Sequence, residues 1–189
     1  MGTTPSTDTE PLRADSARVR ARMLQAARKR VADGDLELPM NAVAKAAGVG
    51  VGTVYRHFPT RQALLEALAA ERYTLLVAEA EQAAAGPDVA AEVARLLRAA
   101  LEHQRCDPAL AAVLAEPDAA RQETRDLGQA LAAAVDRLLE RARAAGEIRP
   151  DITVDDLRAL VCGLQHAVTV SGDATDDRYL AILLRGLRA

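Results

Sequence analysis

Apolar side chains recur at helical spacing along almost all of this chain, and glycine or proline interrupts them at intervals. Half of the 189 residues are hydrophobic but only 2% are aromatic, so Ala, Leu and Val must fill the core. Ala and Leu lose little conformational entropy in a helix, and no segment alternates polar and apolar residues as a strand does. The sequence therefore predicts an all-α protein of about nine helices.

The expected helices follow from these interruptions and from residues that commonly cap helices. We expect a disordered polar tail over residues 1–12, and then helices over about 15–33, 39–47, 51–58, 61–85, 89–105, 108–116, 118–145, 155–171 and 175–187. Gly48 is expected just past the end of the second helix, in the left-handed conformation. Thr60 and Asp107 are expected to start their helices, and "TVDD" at residues 153–156 has the form of a capping box.

Charge divides the chain into a basic front and an acidic body. Up to Arg61 there are ten basic and six acidic side chains, whereas beyond it there are fourteen basic and 21 acidic, within a net charge of −3. This asymmetry is compatible with an anionic partner for the front part, and on charge alone equally compatible with a solvated basic helix. Without a signal peptide, a membrane-spanning stretch or a disulfide framework, we expect a soluble cytoplasmic protein that has no membrane partner.

Two short helices joined by a glycine-containing turn at residues 39–58 predict a helix-turn-helix. Ala44 is small where the second helix crosses the first, and Gly48 adopts the turn conformation at little cost. Val49 and Val54 are expected to fill the space between the two helices. Because many helical hairpins meet these requirements, this pattern alone does not identify a DNA-binding protein.

The residues that follow the turn are more specific. The segment "GVGVGTVYRHFPTRQALL" at residues 48–65 closely resembles the recognition segment of the tetracycline-repressor (TetR) family of bacterial transcriptional regulators, with matches at Gly52, Thr53, Val54, Tyr55, His57, Phe58 and Arg61. "MLQAA" at residues 23–27 is similar to the family's first helix, and the resemblance covers about residues 18–68. It implies a three-helix DNA-binding domain over residues 13–72 and a larger regulatory domain, for ligand binding and dimerisation, over residues 73–189.

The resemblance also implies roles for individual residues. Val54 and Phe58 would face inward and pack the recognition helix onto its neighbours. Candidates for positions at the major-groove edge are Gly50, Val51, Thr53 and Arg56, and of these Arg56 is expected to recognise a guanine. Candidates for contacts to the DNA backbone are Asn41, Lys45, Tyr55, His57 and Arg61.

The chain departs from the family pattern at the first two helices. Pro39 stands where the family often has Thr or Ser, and proline has no hydroxyl to offer to a phosphate. Arg30 and Val31 stand where Leu and Phe are common, so we expect looser packing of the first helix. Four arginines are hypothesised to compensate electrostatically as a basic N-terminal arm, namely Arg13, Arg18, Arg20 and Arg22.

The helix expected over residues 155–171 has no charge after Arg158, so both of its sides are expected to be buried. In a chain of this size one side would be core and the other a subunit contact. The resemblance implies the same, because the last two helices of each subunit form a four-helix dimer interface in the family. A dimer would bind a palindromic operator. The interface candidates are Leu157, Leu160, Val161, Leu164, Val168, Tyr179, Ile182, Leu183 and Leu187. The sequence does not decide which side is the pocket and which the interface.

Polar residues on otherwise apolar faces are candidates for an effector pocket, namely Tyr73, Gln104, Cys162, His166 and Thr169. For Gln104 a hydrogen-bonded core position is an equal alternative, and for His166 interface packing is favoured. The Cys and His pairs in "HQRC" and "CGLQH" do not have a recognised zinc spacing, so we expect no metal site.

The predicted function is a DNA-binding transcriptional regulator, a dimeric repressor of a palindromic operator that a small-molecule effector of unknown identity releases. One alternative is a DNA-binding regulator without a small-molecule effector, controlled by a partner protein or acting as an activator. Another is a helical enzyme or metal-binding protein, against which stands the lack of a nucleophile elbow, phosphate loop, metal-ligand helix or paired carboxylates. No catalytic residue and no cofactor is predicted.

Overall fold

The computed structural model describes residues 9–116, 118–171 and 176–189. These residues form nine α-helices and no strand: α1 Thr9–Ala32, α2 Met40–Ala47, α3 Val51–His57, α4 Arg61–Ala85, α5 Val89–Cys106, α6 Pro108–Ala115, α7 Gln122–Ala144, α8 Val154–Ser171 and α9 Asp176–Leu187. The all-α class is therefore confirmed over the described ranges. Among the same residues no helix is both long enough and apolar enough to cross a membrane.

The first helix begins earlier than the sequence predicted. α1 starts at Thr9 instead of Asp15. Pro11 falls in its first turn, where the missing N–H of proline is not needed, and the next residues are good helix formers. Residues 9–12 are therefore helical and not part of the expected tail. Residues 1–8 of that tail lie outside the described residues.

The seventh helix begins later than predicted, at Gln122 instead of Asp118. The Nη1 group of Arg125, in the first turn of α7, donates to the Ala119 carbonyl oxygen at 2.7 Å. This hydrogen bond stabilises a non-helical path for the segment that leads into α7. The sequence alone could not show that a side chain of α7 would hold this segment outside the helix.

Caps that the sequence predicted are present at four helices. Gly48 ends α2 at φ 65° and ψ 40°. The hydroxyl of Thr60 accepts from a first-turn N–H of α4 at 3.0 Å, and a carboxylate oxygen of Asp107 accepts from two N–H groups of α6 at 3.0 and 3.2 Å. In the capping box of α8 the Thr153 N–H donates to Asp156 at 2.9 Å, and the Asp156 N–H donates to the Thr153 hydroxyl at 3.1 Å.

The helices form two compact units, and each unit has its own buried residues. The N-terminal unit comprises the described residues up to Leu68, which are α1–α3 and the first part of α4. Its largest buried apolar side chains are Met23, Leu38, Val43, Val54, Phe58, Leu64 and Leu65. The predicted functional division at residues 72/73 falls slightly later and stays a prediction.

The C-terminal unit, Ala69–Ala189, packs the second part of α4 with α5, α7, α8 and α9 around an aliphatic core. Members of this core include Leu76, Val93, Leu96, Leu97, Leu138, Leu139, Leu157, Val161 and Leu180. Alanines at Ala80, Ala83, Ala134 and Ala142 are fully buried, and such small side chains allow helices to approach closely. α6 packs against α5 and α8. The alanine-rich composition thus supplies a core in which helices pack close together.

Candidate functional site

Backbone hydrogen bonds close the turn between α2 and α3. Gly48 occupies the left-handed region, which a residue with a side chain adopts only at a cost. Val49 N donates to the Ala44 carbonyl oxygen at 3.0 Å, and at the start of α3 Thr53 N donates to the Gly50 carbonyl oxygen at 2.9 Å. The two helices are therefore joined by the short, fixed connection that a helix-turn-helix requires.

Burial divides α3 and its C-cap into an inner and an outer face. Val54 and Phe58 are buried, as predicted, whereas Val51 is 45% exposed and Tyr55 is 50% exposed. The remaining candidates on this segment are exposed (Gly50 and Arg56) or half-buried (Thr53 and His57). Large side chains that remain exposed beside a cation on a rigid helix are available to contact a partner.

A second candidate site, a cavity, lies wholly within the C-terminal unit. A cavity of about 530 Å³ that is partly open to solvent is lined by α4, α5, α6, α7 and α8. Most of its wall is aliphatic, with Leu76, Leu96, Leu97, Val113, Leu114, Leu131, Val135, Val154, Leu157 and Val161. Small-molecule sites in proteins commonly measure about 300–1,000 Å³ and have apolar walls with a few polar groups. The cavity therefore has the size and the composition of a ligand pocket.

Comparison with known proteins gives two family matches that together cover most of the described chain. Residues 23–68 match the family of bacterial regulatory proteins described as the tetR family, and residues 88–189 match the C-terminal domain described as transcriptional regulator SbtR-like. The chain belongs to the TetR family. It is therefore a DNA-binding transcriptional regulator, and the resemblance predicted from residues 18–68 is confirmed.

Solved structures agree with this assignment. A TetR transcription regulatory protein from Mycobacterium vanbaalenii is 33% identical over 95% of this chain and 100% of its own, with a TM-score of 0.50. A TetR transcriptional regulator from Streptomyces coelicolor is 31% identical over 89% of this chain and 98% of its own, with a TM-score of 0.53. The regulator FadR from Bacillus subtilis, solved with stearoyl-CoA, is only 19% identical over 89% of this chain and 99% of its own, and its TM-score of 0.63 supports the fold alone. No curated protein matches the chain.

Within this TetR-type unit, Arg56 lies on the outer face of α3. Its Nε donates to the Gly52 carbonyl oxygen and its Nη2 to the Thr53 hydroxyl, both at 3.3 Å. Both hydrogen bonds are long and exposed, so a better acceptor can replace them. The planar fork of an arginine matches the O6 and N7 atoms of a guanine in the major groove.

The supporting helix α2 carries two of the predicted backbone contacts, Asn41 and Lys45, and both are exposed. Asn41 Oδ1 accepts from the Ala42 N–H at 2.8 Å, which leaves the amide NH₂ group as a donor. Pro39 is the N-cap of α2 and gives it no side-chain hydrogen bond, as expected of a residue without a hydroxyl.

Arg61 has a structural contact that the sequence did not indicate. Its Nε and Nη2 groups donate to the Leu36 carbonyl oxygen at 2.9 and 2.7 Å, and the residue is half-buried. Leu36 precedes α2, so Arg61 ties the start of α4 to the segment that leads into the helix-turn-helix. The contact between Arg61 and DNA stays a prediction, and it would have to be made by a guanidinium that already holds this segment.

Arg30 contacts the same segment through the neighbouring residue, Asp35. It forms an ion pair with Asp35, and this hydrogen bond holds the pKa of the Asp35 carboxyl below its ordinary value of 3.8. Val31 is buried next to it. We expected looser packing of α1 at these two positions, whereas here an ion pair ties α1 to the following segment. The only indication of this ion pair in the sequence was the spacing of five residues between Arg30 and Asp35.

Only some of the arginines in the hypothesised N-terminal arm are free to contact DNA. The Arg20 guanidinium carbon lies 5.4 Å from the centre of the Phe58 ring, a distance typical of a cation–π contact. Arg18 is exposed and has a weak ion pair within α1 at 3.7 Å, and Arg22 is exposed. The side chain of Arg13 lies outside the described residues. Arg20 therefore has a packing contact in the N-terminal unit, and the arm as a whole stays a prediction.

Three of the five effector-pocket candidates line the cavity, namely Tyr73, Gln104 and Cys162. The structure does not bring His166 and Thr169 to it, since both are exposed and absent from its wall. Helical spacing placed them on the same face of α8 as Cys162. The cavity, however, borders only the N-terminal half of α8, so residues one and two turns further along lie beyond it.

Arg158 acts on two of the cavity groups. Burial raises the pKa of the Tyr73 hydroxyl and of the Cys162 thiol, and the positive charge of Arg158 opposes this rise at both. Both groups are therefore uncharged at neutral pH, and each offers a neutral hydrogen-bonding group to the cavity. Thr124 and Gly128, from α7, also line the cavity. Helical periodicity did not indicate these two residues, because the first turns of α7 are otherwise polar.

In the part of the chain that the structure describes, no group of three or more His, Cys, Asp or Glu side chains could hold a metal ion. Cys106 is exposed and donates to Glu102 at 3.0 Å, whereas Cys162 lines the cavity. The two cysteines considered for a metal site therefore occupy different environments.

The dimer-interface candidates fall on two different sides of α8 and α9. Leu157, Val161, Val168 and Leu187 are buried within the subunit, so they are not available to a second subunit. Leu164, Tyr179 and Leu183 are half-buried. Leu160 and Ile182 are exposed together with Val170, which the sequence analysis did not select. We call Leu160, Val170 and Ile182 the exposed apolar patch. The inner side of α8 is thus core and cavity wall, and its outer side is the one open to a partner.

Proposed function

We propose that this regulator is a repressor that binds a palindromic operator as a homodimer and is released by a small molecule bound in the C-terminal unit. The observation that carries the proposal is the outer face of α3, where Val51, Tyr55 and Arg56 are exposed on a helix anchored by the buried Val54 and Phe58. Anchoring from inside sets the direction of the outer side chains, which DNA recognition requires.

In this proposal the exposed residues divide between base recognition and positioning. Arg56 recognises a guanine, while Val51 and the Thr53 methyl group contact thymine methyl groups. Tyr55, His57, Asn41 and Lys45 donate hydrogen bonds to phosphates, which fixes the register of α3 but carries no sequence information. Gly50 adds no side chain at the start of α3, so the backbone approaches the DNA there.

The exposed apolar patch supports the homodimer. Val170 is 74% exposed although valine is usually buried in monomeric proteins. α8 and α9 pack against each other and carry all three residues of the patch. The four-helix interface implied by the TetR resemblance uses the same two helices. Two copies of α3 about one helical turn of DNA apart, roughly 34 Å, would bind the two halves of a palindrome.

The cavity supports release by a small molecule over control by a partner protein alone. A ligand that binds the DNA-free state more tightly than the DNA-bound state lowers operator affinity by the ratio of the two affinities. The alternative, a regulator without an effector, gives no role to a mainly apolar, partly open cavity of about 530 Å³. Binding chromosomal DNA would place the protein in the cytoplasm, which is part of the same proposal.

The decisive experiment is selection of bound sequences from random double-stranded oligonucleotides with the full-length protein. We expect an inverted repeat whose half-sites are centred about 10 base pairs apart, or a multiple of that. Selection of a single unrepeated half-site contradicts the dimeric operator, and no enrichment at low salt contradicts the whole proposal. A reporter with the selected site over its promoter then decides the sign of regulation, because a repressor lowers expression.

A further inference from the structure

We infer that the cavity of the C-terminal unit binds an uncharged, mainly aliphatic or alicyclic molecule that carries one or two hydroxyl or carbonyl oxygens. This inference rests on the proposed function, in which the ligand is the effector. The volume of about 530 Å³ sets the size. If one non-hydrogen atom needs roughly the 30 Å³ that a water occupies in the liquid, the cavity holds a ligand of at most about 18 such atoms.

Three polar side chains in the cavity wall have hydrogen-bonding capacity that the protein does not use. Tyr73, Gln104 and Thr124 are each more than nine-tenths buried, and all three line the cavity. Within the described ranges the Tyr73 and Thr124 hydroxyls make no hydrogen bond. Gln104 Nε2 donates to the Ala100 carbonyl oxygen at 3.2 Å, which leaves Oε1 as an acceptor. Since buried polar groups are almost always paired, these groups favour a ligand that brings its own oxygens.

The space beside the Tyr73 hydroxyl is kept open by a glycine. Gly128 belongs to α7 and lines the cavity. A Cβ atom added there would lie 3.4 Å from Tyr73 Oη. Because Gly128 has no side chain, nothing from this position of α7 covers the Tyr73 hydroxyl. The hydroxyl therefore stays open to a ligand oxygen on the cavity side of α4 and α7.

The charged side chains of the cavity wall are exposed to solvent and not buried. Glu116, Asp118, Arg125, Asp155 and Arg158 all border the cavity, and all five are exposed. Arg125 already donates to Ala119 and Gln122, and Arg158 lies 3.9 Å from an Asp155 carboxylate oxygen. The charge of Arg158 acts on Tyr73 and Cys162, but Arg158 is itself exposed, so the described wall offers no buried cation to a carboxylate or phosphate. An unpaired ion inside would lose its hydration without compensation, so the interior selects an uncharged molecule.

Four compounds of twelve carbons test this selection with the full-length protein, by calorimetry and thermal shift below their aggregation concentrations. The uncharged probes are 1-dodecanol and cyclododecanone, and the charged probes are dodecanoate and dodecylamine. We expect at least one uncharged probe to bind ten-fold or more tightly than both charged probes and to raise the melting temperature by mass action. A charged probe that binds as tightly as the better uncharged one overturns the inference, and so does the absence of binding by all four.

Variants of the wall test the polar contacts. Tyr73→Phe and Thr124→Val each remove one hydroxyl at nearly constant volume, and we expect at least one of them to weaken the better uncharged probe about tenfold. Thr74→Val is the matched control, because its hydroxyl donates to the Ala70 carbonyl oxygen and Thr74 does not line the cavity. Unchanged affinity in both cavity variants, with native circular dichroism, overturns the assignment of these groups. Selection of operator DNA with the same preparations separates failure of the proposed function from failure of the ligand class.

Discussion

Arg56 and Lys45 are both exposed cations of the helix-turn-helix, but they lie on different helices and have different expected partners. We expect Arg56→Ala to weaken binding to the preferred operator by about 1–3 kcal/mol per half-site and to relax the base preference at one position of each half-site. The measurement is repetition of the DNA selection with the variant, followed by titration of the preferred sequence.

Lys45→Ala is the matched control for this prediction. A lysine that contacts only phosphate should weaken binding to all sequences alike, and its removal should reduce the salt slope of the binding constant by about 1. If Arg56→Ala behaves like Lys45→Ala, with uniform loss and unchanged preference, Arg56 is a phosphate contact and the guanine assignment is wrong.

Asp35 gives a prediction for the pH dependence of stability. Its ion pair with Arg30 holds the pKa of the folded protein below the ordinary 3.8, so the unfolded chain binds this proton more tightly. The stabilisation is therefore present above about pH 4 and is lost as the pH falls through the folded pKa. We expect Asp35→Asn to lower the melting temperature at pH 7 and the difference from the parent to shrink towards pH 2.5.

Melting curves of the parent and of Asp35→Asn at pH 7, 4 and 2.5, followed by circular dichroism, check this dependence. Asp33→Asn is the matched control, since Asp33 is exposed and no hydrogen bond to its carboxylate is found in the described part of the chain. A deficit of Asp35→Asn that stays constant at all three pH values would show that the charge of Asp35 contributes nothing.

The turn of the helix-turn-helix makes a prediction at the scale of structural elements. Gly48 lies at φ 65°, and a Cβ there would meet no atom within 4 Å, so the cost of Gly48→Ala arises from the backbone alone. We expect a loss of about 1–2 kcal/mol in the free energy of unfolding. In Gly52→Ala, within α3, a Cβ is equally free, and helix propensity predicts unchanged stability or a gain of up to about 1 kcal/mol.

Urea unfolding of the two glycine variants measures this difference in the free energy of unfolding. The comparison is direct, because each change adds one methyl group at an exposed position and the two positions are only four residues apart. Equal stability of the two variants would mean that the turn tolerates a side chain in the left-handed conformation, and that Gly48 is dispensable for the joint between α2 and α3.

At the same scale, α8 shows which structural features helical periodicity alone predicts and which it does not. The sequence predicted a helix that ends at Ser171 and is capped by Thr153 and Asp156, and both features are observed. The sequence placed Leu157 and Leu160 together as interface candidates, yet one is buried in the core and the other is exposed. Periodicity gives the angle between two side chains around a helix, but not which neighbouring helix covers each angle.

For the molecule as a whole, the exposed apolar patch predicts the oligomeric state. We expect Ile182→Glu to convert the dimer into a monomer, because burying an unpaired carboxylate costs about 3 kcal/mol or more, which weakens association at least about 100-fold. Size-exclusion chromatography with light scattering measures the mass of each variant. The expected loss of operator binding accompanies the loss of the dimer.

Leu75→Glu serves as the control for the patch. Leu75 is an exposed leucine of similar accessibility on α4, outside α8 and α9. It should leave the mass of the assembly unchanged. A parent protein that is monomeric at micromolar concentration, or an Ile182→Glu variant that stays dimeric, would show that α9 does not form the subunit contact.

By itself the sequence determined the features that depend on neighbours within a few residues. Helical spacing, the left-handed glycine, the caps at Thr60, Asp107 and Thr153, and the inward Val54 and Phe58 all follow from local geometry and local hydrogen bonds. The recognition segment was identified for the same reason, because its family pattern is contiguous.

Only the tertiary structure decided the features whose partners lie far apart in the chain. Arg61 reaches the Leu36 carbonyl oxygen across 25 residues, the cavity brings Tyr73 and Gln104 together with Thr124 from α7, and packing buries Leu157 while leaving Leu160 exposed. The spacing of apolar side chains along one helix does not specify which distant helix will pack against them. Which helices pack together is determined by burial of the whole aliphatic core, so no single segment of the sequence specifies it.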